Sequence, residues 1–226
     1  MEQFRSKHKQ TQSEWEAEMS KKVLEFVRSE LYMDLRFLDI ALGTLVYRAD
    51  ENIRSFATDG TYLYFSAEQV LRVFQGNPKY LDRAYLHSVL HCIFFHLWIG
   101  GKRDREKWNL ACDIAVESII DHWHLKCIHM VQTRLRKDTY RQIEKKLKVF
   151  TAEGIYKYLV SLGLDEKKQK ELKMEFHVDD HQYWPEDPKQ DLHQEVENKW
   201  KNISEKTETD METFSSEESQ QAGNLI

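Results

Sequence analysis

Two histidines, His87 and His91, stand four residues apart in the apolar stretch AYLHSVLHCIFFHLW, residues 84–98. On a helix, that spacing stacks side chains on adjacent turns, offset by about 40°. Both imidazoles can then aim at one point and hold a zinc ion at about 2.0–2.1 Å. His-Glu-x-x-His is the zinc-protease signature, whose glutamate serves as general base. In this chain Ser88 stands where that glutamate belongs. His96 lies five residues past His91, about 140° round an unbroken helix, and is left out of the ligand set.

Two imidazoles alone hold zinc weakly, so a third ligand must come from another element. The run WNLACDIAVE supplies Asn109, Asp113 and Glu117, spaced four and four on one face of a mostly apolar helix. A carboxylate between Cys112 and Ile114 needs a partner if it is buried. A short antiparallel return from Gly100-Gly101 would lay Asp113 beside His87 and His91 as the third metal ligand. Glu117, one turn on, could accept the free N–H of a ligand histidine, and Asn109 could do likewise or bind backbone. The alternative is a core in which these histidines only form hydrogen bonds, making the domain a structural interaction module without metal.

Ser88 decides the chemistry. Its hydroxyl titrates far above neutral pH and cannot shuttle the proton of a zinc-bound water. Loss of a general base costs about 10²–10⁴ in rate. The expectation is therefore a zinc-binding site without ordinary peptidase activity, in which Ser88→Glu would raise activity if the other parts are intact. An active zinc hydrolase with a displaced base, Glu117 or Asp180, is the competing enzyme reading. Asp180 and His181, in the loop FHVDDHQYWPEDP, are candidates for proximity to the site.

The elements that must position these residues are mainly helical. Ser13 reads as a helix cap, followed by one bent helix or two, with Trp15, Met19, Val23, Phe26 and Val27 as an apolar stripe. The period changes in IRSFATDGTYLYFS, where Asp59-Gly60 between short runs signals a β-hairpin; Tyr62 and Tyr64 share one side. Ser66 caps a short helix, and the histidine helix is predicted over 81–99. Asp104 caps the next helix, a further one covers about 136–148, and Thr151 caps another. The basic stretch RLRKDTYRQIEKKLK fits a solvated helix face. The fold class is thus α+β, mostly α, with a small β-hairpin.

Domain organisation follows composition. Residues 1–12 read as disordered, 13–200 as the folded domain, and 201–226 as an acidic linker or tail. A net charge of −5 with interspersed signs excludes the basic footprint of a nucleic-acid binder. No signal peptide or membrane-spanning run is evident. Three irregularly spaced cysteines suit a reducing compartment, so the cytoplasm is expected.

Four segments occur in a telling order: ATDGTYLYFSAEQV, YLHSVLHCIFFH, REKWNLACDIAVESII and FHVDDHQYW. Together they resemble the metallopeptidase domain that precedes a von Willebrand factor A-like (VWA-like) domain in bacterial proteins, over roughly residues 30–200. That resemblance implies a zincin-like fold, zinc as cofactor, and His87, His91 and Asp113 as its ligands. It places His181 in a later Asp-x-His-like segment of unassigned role. It also implies a protein partner, such as a VWA-like domain or a MoxR-type AAA ATPase. The acidic tail would lead to a VWA-like half that this sequence lacks.

Overall fold

α4 (Pro78–Ile93) is the element around which the others are arranged, and every residue from Leu81 to Ile93 is buried. Asn77 caps its start by accepting the Lys79 N–H, with Pro78 at the first helical position, where a missing N–H costs nothing. A computed structural model describes residues 10–186 and 191–223 of the chain.

Around α4 lie α1 (Gln12–Asp34), a 3-10 turn (Arg36–Leu38), α2 (Asp39–Thr44), α3 (Ala67–Gly76) and α5 (Arg105–Trp123). α6 (Arg134–Glu144), α7 (Ala152–Leu162), α8 (Glu166–Phe176) and α9 (Asp191–Gly223) complete the helices. Thr11, not Ser13, caps α1, through a reciprocal capping box with Glu14. Of the expected stripe, Val23 and Val27 are buried, Trp15 and Phe26 are 41% and 48% exposed, and Leu24 and Leu31 complete the buried face. Of the expected disordered N-terminus, residues 10–12 are described and lead into α1; 1–9 lie outside the described residues.

The sheet has three strands, β1 (Val46–Ala49), β2 (Phe56–Thr58) and β3 (Tyr62–Phe65), in the order β1-β3-β2. β2 and β3 form the antiparallel hairpin expected around Asp59-Gly60. Asp59 accepts the N–H groups of Thr61 and Tyr62, and Gly60 takes a φ of 87° that favours glycine. β1 pairs parallel with β3, which makes β3 the central strand. Tyr62 and Tyr64 therefore sit on no free edge, and Tyr64 stacks on Tyr183 at 4.0 Å.

Several expected boundaries move: α4 starts at Pro78 and not 81, and α6 spans Arg134–Glu144 and not 136–148. The histidine helix stops at Ile93 instead of 99, where Phe95 adopts a left-handed φ of 59° and the chain turns back on itself. The stretch from Lys201 that reads as linker continues α9, with Trp200, Ile203 and Thr207 buried at spacings of three and four. With Val196 also packed against the core, this narrow stripe docks a helix whose remaining composition is mainly acidic and polar. Trp200 is fully buried, and its indole N–H donates to the Gly60 carbonyl at 2.7 Å. No helix among the described residues is long and apolar enough to cross a membrane.

Candidate metal centre

Adjacent turns of α4 present His87 and His91 with their Nε2 atoms 2.8 Å apart. α5 packs against α4 and brings Asp113 Oδ1 to 3.5 Å from His87 Nε2 and 3.4 Å from His91 Nε2. The three residues of the sequence-derived ligand set are thus together, all at most 2% exposed.

The loop after α8 adds two more donors. Asp180 N–H donates to the Phe56 carbonyl, and Ser55 hydroxyl donates to the Val178 carbonyl, so residues 178–180 lie along β2. In an extended segment alternate residues face opposite ways. Asp179 and His181 therefore point inward, and Asp180 does not. His181 Nε2 is 2.9 Å from Asp179 Oδ1 and 3.1 Å from Asp113 Oδ1. Asp180, singled out in the sequence, spends a carboxylate oxygen on the Gln182 N–H; its neighbour Asp179 takes the inward place.

One ligand atom each from His87, His91, Asp113, Asp179 and His181 lies within 4.8 Å of all the others, and this group could hold a metal ion. Asp113 Oδ1 tests the fit. It is buried and makes no aligned hydrogen bond, although a nitrogen of each of three imidazoles lies 3.1–3.5 Å away. An orphaned buried carboxylate oxygen is costly. Ligands at tetrahedral angles round zinc lie about 3.3 Å apart, so this spacing suits a shared cation. Imidazole with carboxylate is a donor mix for a borderline or hard divalent ion and not for a thiolate-seeking one.

Of the two residues expected behind the cluster, Glu117 reaches a histidine and Asn109 Oδ1 does not. Glu117 Oε1 pairs with His87 Nδ1 at 2.9 Å, the position expected for it, which leaves His87 Nε2 facing the cluster. Asn109 Oδ1 is buried without a hydrogen-bond partner. Ser88 is fully buried, and its hydroxyl donates to Asp179 Oδ2 at 2.6 Å. Asp113 and His181 border a cavity of about 480 Å³ that Arg105, Asn109, Lys173 and Asp180 also line.

Electrostatics follows from burying three imidazoles with two carboxylates. Burial opposes charge on His87, but the Asp179 charge, the nearby Asp113 carboxylate and the hydrogen bond to Glu117 outweigh it and push its pKa up to about 10. His181 is likewise raised to about 9, against burial, by the charges of Asp113 and Asp179. His91 falls to about 4, because burial and the neighbouring His87 charge both disfavour its protonation. Asp113 is held well below the carboxylate range: burial works against this, but the His181 charge and the imidazole contacts prevail.

Several participants are invisible to helical spacing. His96 Nδ1 comes to 2.9 Å from His91 Nδ1 because the helix ends before it, so the angle for an unbroken helix does not apply. Trp184 stacks on His181 at 3.7 Å and meets His91 edge-on at 5.0 Å. Arg136 of the basic stretch is buried, not solvated, and reaches Glu117. An acid pair followed by a histidine was the sequence signal for the loop donors, but it did not say which acid turns inward.

A mostly helical α+β domain built round a buried His/Asp cluster is the class that fold and site define. The family model described as "Putative metallopeptidase domain" matches residues 21–224, and the chain belongs to that family. Neither a curated protein nor a solved structure matches it.

Proposed function

We propose that this domain binds zinc through His87, His91 and Asp113, with Asp179 and His181 completing the donor set, lacks ordinary peptidase activity, and acts through a protein partner. Zinc in such a site supplies Lewis acidity and acidifies bound water, but hydrolysis also needs a base for the water's proton. The observation that carries the reading is the Ser88–Asp179 hydrogen bond. The residue at the general-base position bears no carboxylate, and its hydroxyl is committed to one of the five clustered donors. Glu117 cannot replace it, since Oε1 is engaged by His87 and Oε2 by Arg83 and Arg136. A VWA-like domain or a MoxR-type ATPase is the partner suggested by resemblance, and a cytoplasmic location accords with the free cysteines.

The second reading, a zinc-dependent hydrolase with a displaced base, draws on the cavity beside Asp113 and His181. Asp180 lines it and is only partly buried. Elemental analysis and a hydrolase screen with and without chelator separate the readings. The expected result is about one zinc per chain and no chelator-sensitive peptide cleavage. Cleavage that is lost on chelation and on Asp180→Asn would establish the hydrolase. Protein devoid of metal after zinc-replete expression would return the cluster to a purely structural role.

A further inference from the structure

Arg136, on α6, gives no atom to the donor cluster, yet its guanidinium touches two of the three elements that carry the cluster or lead into it, α5 and the end of α8. Toward α5, Nη1 donates to Glu117 Oε2 at 2.5 Å and to Asp121 Oδ2 at 3.1 Å. Toward the end of α8, Nε donates to Glu175 Oε1 at 3.0 Å and Nη2 to the Glu175 carbonyl at 2.8 Å. Glu117 lies four residues after Asp113 and backs His87; Glu175 lies four residues before Asp179. Its plane also covers the Phe176 ring at 4.8 Å.

Arg83, on α4, grips the same acids from the other side. Its Nε and Nη2 reach Glu117 Oε2 at 2.9 and 2.5 Å, and Nη2 reaches Asp121 Oδ1 at 2.7 Å. Tyr140 donates to Asp121 Oδ2 at 2.9 Å. Arg83 thus links α4 to α5, and Arg136 bridges α5 to the end of α8 with four hydrogen bonds. Two longer contacts accompany these: the Lys173–Glu106 ion pair at 3.9 Å and the hydrogen bond from Arg105 to the His181 carbonyl at 3.4 Å.

We propose that Arg136 is a positioning residue for the metal centre, setting the separation between the helix donors His87, His91 and Asp113 and the loop donors Asp179 and His181. This rests on the metal-binding reading above. A planar fork with fixed N–H directions can satisfy a carboxylate on one side and a carboxylate plus a carbonyl on the other. A lysine ammonium carries the charge but cannot span all of these acceptors. The loop then drifts relative to α5, and the five donors no longer converge. Loss of an outer partner typically weakens metal binding about 10- to 100-fold.

The test uses the full chain, with zinc affinity read by competition against a chromophoric chelator and the metal-free fold read by circular dichroism and thermal melting. Arg136→Gln and Arg136→Lys are compared with wild type, and Glu175→Gln removes the charge at the far end of the clamp. Zinc binding should weaken about 10- to 100-fold in Arg136→Gln. In Arg136→Lys the loss should persist in large part, and Glu175→Gln should weaken binding in the same direction. The visible absorption of the cobalt-loaded Arg136→Lys protein should differ from wild type, which a role confined to fold stability would not produce. Folded Arg136→Lys that binds zinc as tightly as wild type, with an unchanged cobalt spectrum, overturns the clamp. If Arg136→Gln does not fold, Arg136→Lys and Glu175→Gln decide the matter. Wild-type protein that takes up no zinc overturns the metal reading, and this inference with it.

Discussion

Ser88 and Asp179 lie 91 residues apart in sequence and share a 2.6 Å hydrogen bond at full burial. Replacing the hydroxyl by hydrogen in Ser88→Ala leaves Asp179 Oδ2 without that donor. The metal-free protein should lose about 1–3 kcal/mol, measured by chemical denaturation. Ser88→Glu looks like a restoration from sequence alone, but it sets a second carboxylate against Asp179 in a space with no solvent. The expected outcome is a lower melting temperature and no peptidase activity. Chelator-sensitive cleavage by Ser88→Glu would show that the donors rearrange around the new acid.

Metal uptake should release protons. In the metal-free fold the raised pKa values of about 10 for His87 and about 9 for His181 keep both protonated at neutral pH. A cation must displace these protons, so apparent zinc affinity should fall steeply between pH 8 and pH 6, by about tenfold per released proton per pH unit. Chelator competition across that range measures the slope. For the metal-free protein the sign is opposite. Stabilisation from protonated His87 and His181 is complete below their unfolded pKa near 6.5 and is lost as pH rises through about 9 to 10. Melting curves recorded with chelator present should show that loss.

Asp82, also on α4, gives a separate pH signature. It is 1% exposed, and its Oδ1 has no hydrogen-bond partner. Burial, aided by the Glu30 charge, raises its pKa to about 7. The folded state therefore holds a proton that the unfolded state releases near 3.8, and this residue's contribution to stability falls as pH rises from there through about 7. Asp82→Asn should remove that component of the slope and stabilise the protein at pH 8 by about 1–3 kcal/mol. Equal pH dependence in wild type and variant would show that Asp82 finds a cation partner in solution.

Trp200 anchors α9. Trp200→Phe should cost about 1 kcal/mol for the hydrogen bond to Gly60, and Trp200→Ala about 3–5 kcal/mol for the vacated volume. Denaturant unfolding of the two variants measures both. A small cost for Trp200→Ala would mean that α9 contributes little to the fold.

How much of this was legible in the sequence depended on whether a residue's partner was local. His87, His91, Asp113 and Glu117 announce themselves because residues four apart on a helix share a face. The hairpin is equally local, since Asp59-Gly60 encodes its own turn. β1 is short, largely exposed and paired in parallel with β3, so nothing within it marks a strand. The choice of Asp179 over Asp180 depends on docking against β2, more than 100 residues earlier. In α6, Arg136, Thr139 and Ile143 form a buried stripe at spacings of three and four, but the surrounding lysines and arginines disguise it. The same pattern in α9 is hidden by acids and serines.

The clasp between Trp200 and Gly60 joins residues 140 apart, and this has a temporal meaning. At about 5–20 residues per second, a ribosome takes on the order of 7–28 s to make the chain between them. All five inward-facing donors, at 87, 91, 113, 179 and 181, are synthesised before that clasp can close. The nascent polypeptide thus passes through a period when its clustered histidines and aspartates exist before α9 has docked. Any step that depends on the docked α9 must therefore wait until Trp200 has been made and has left the ribosome.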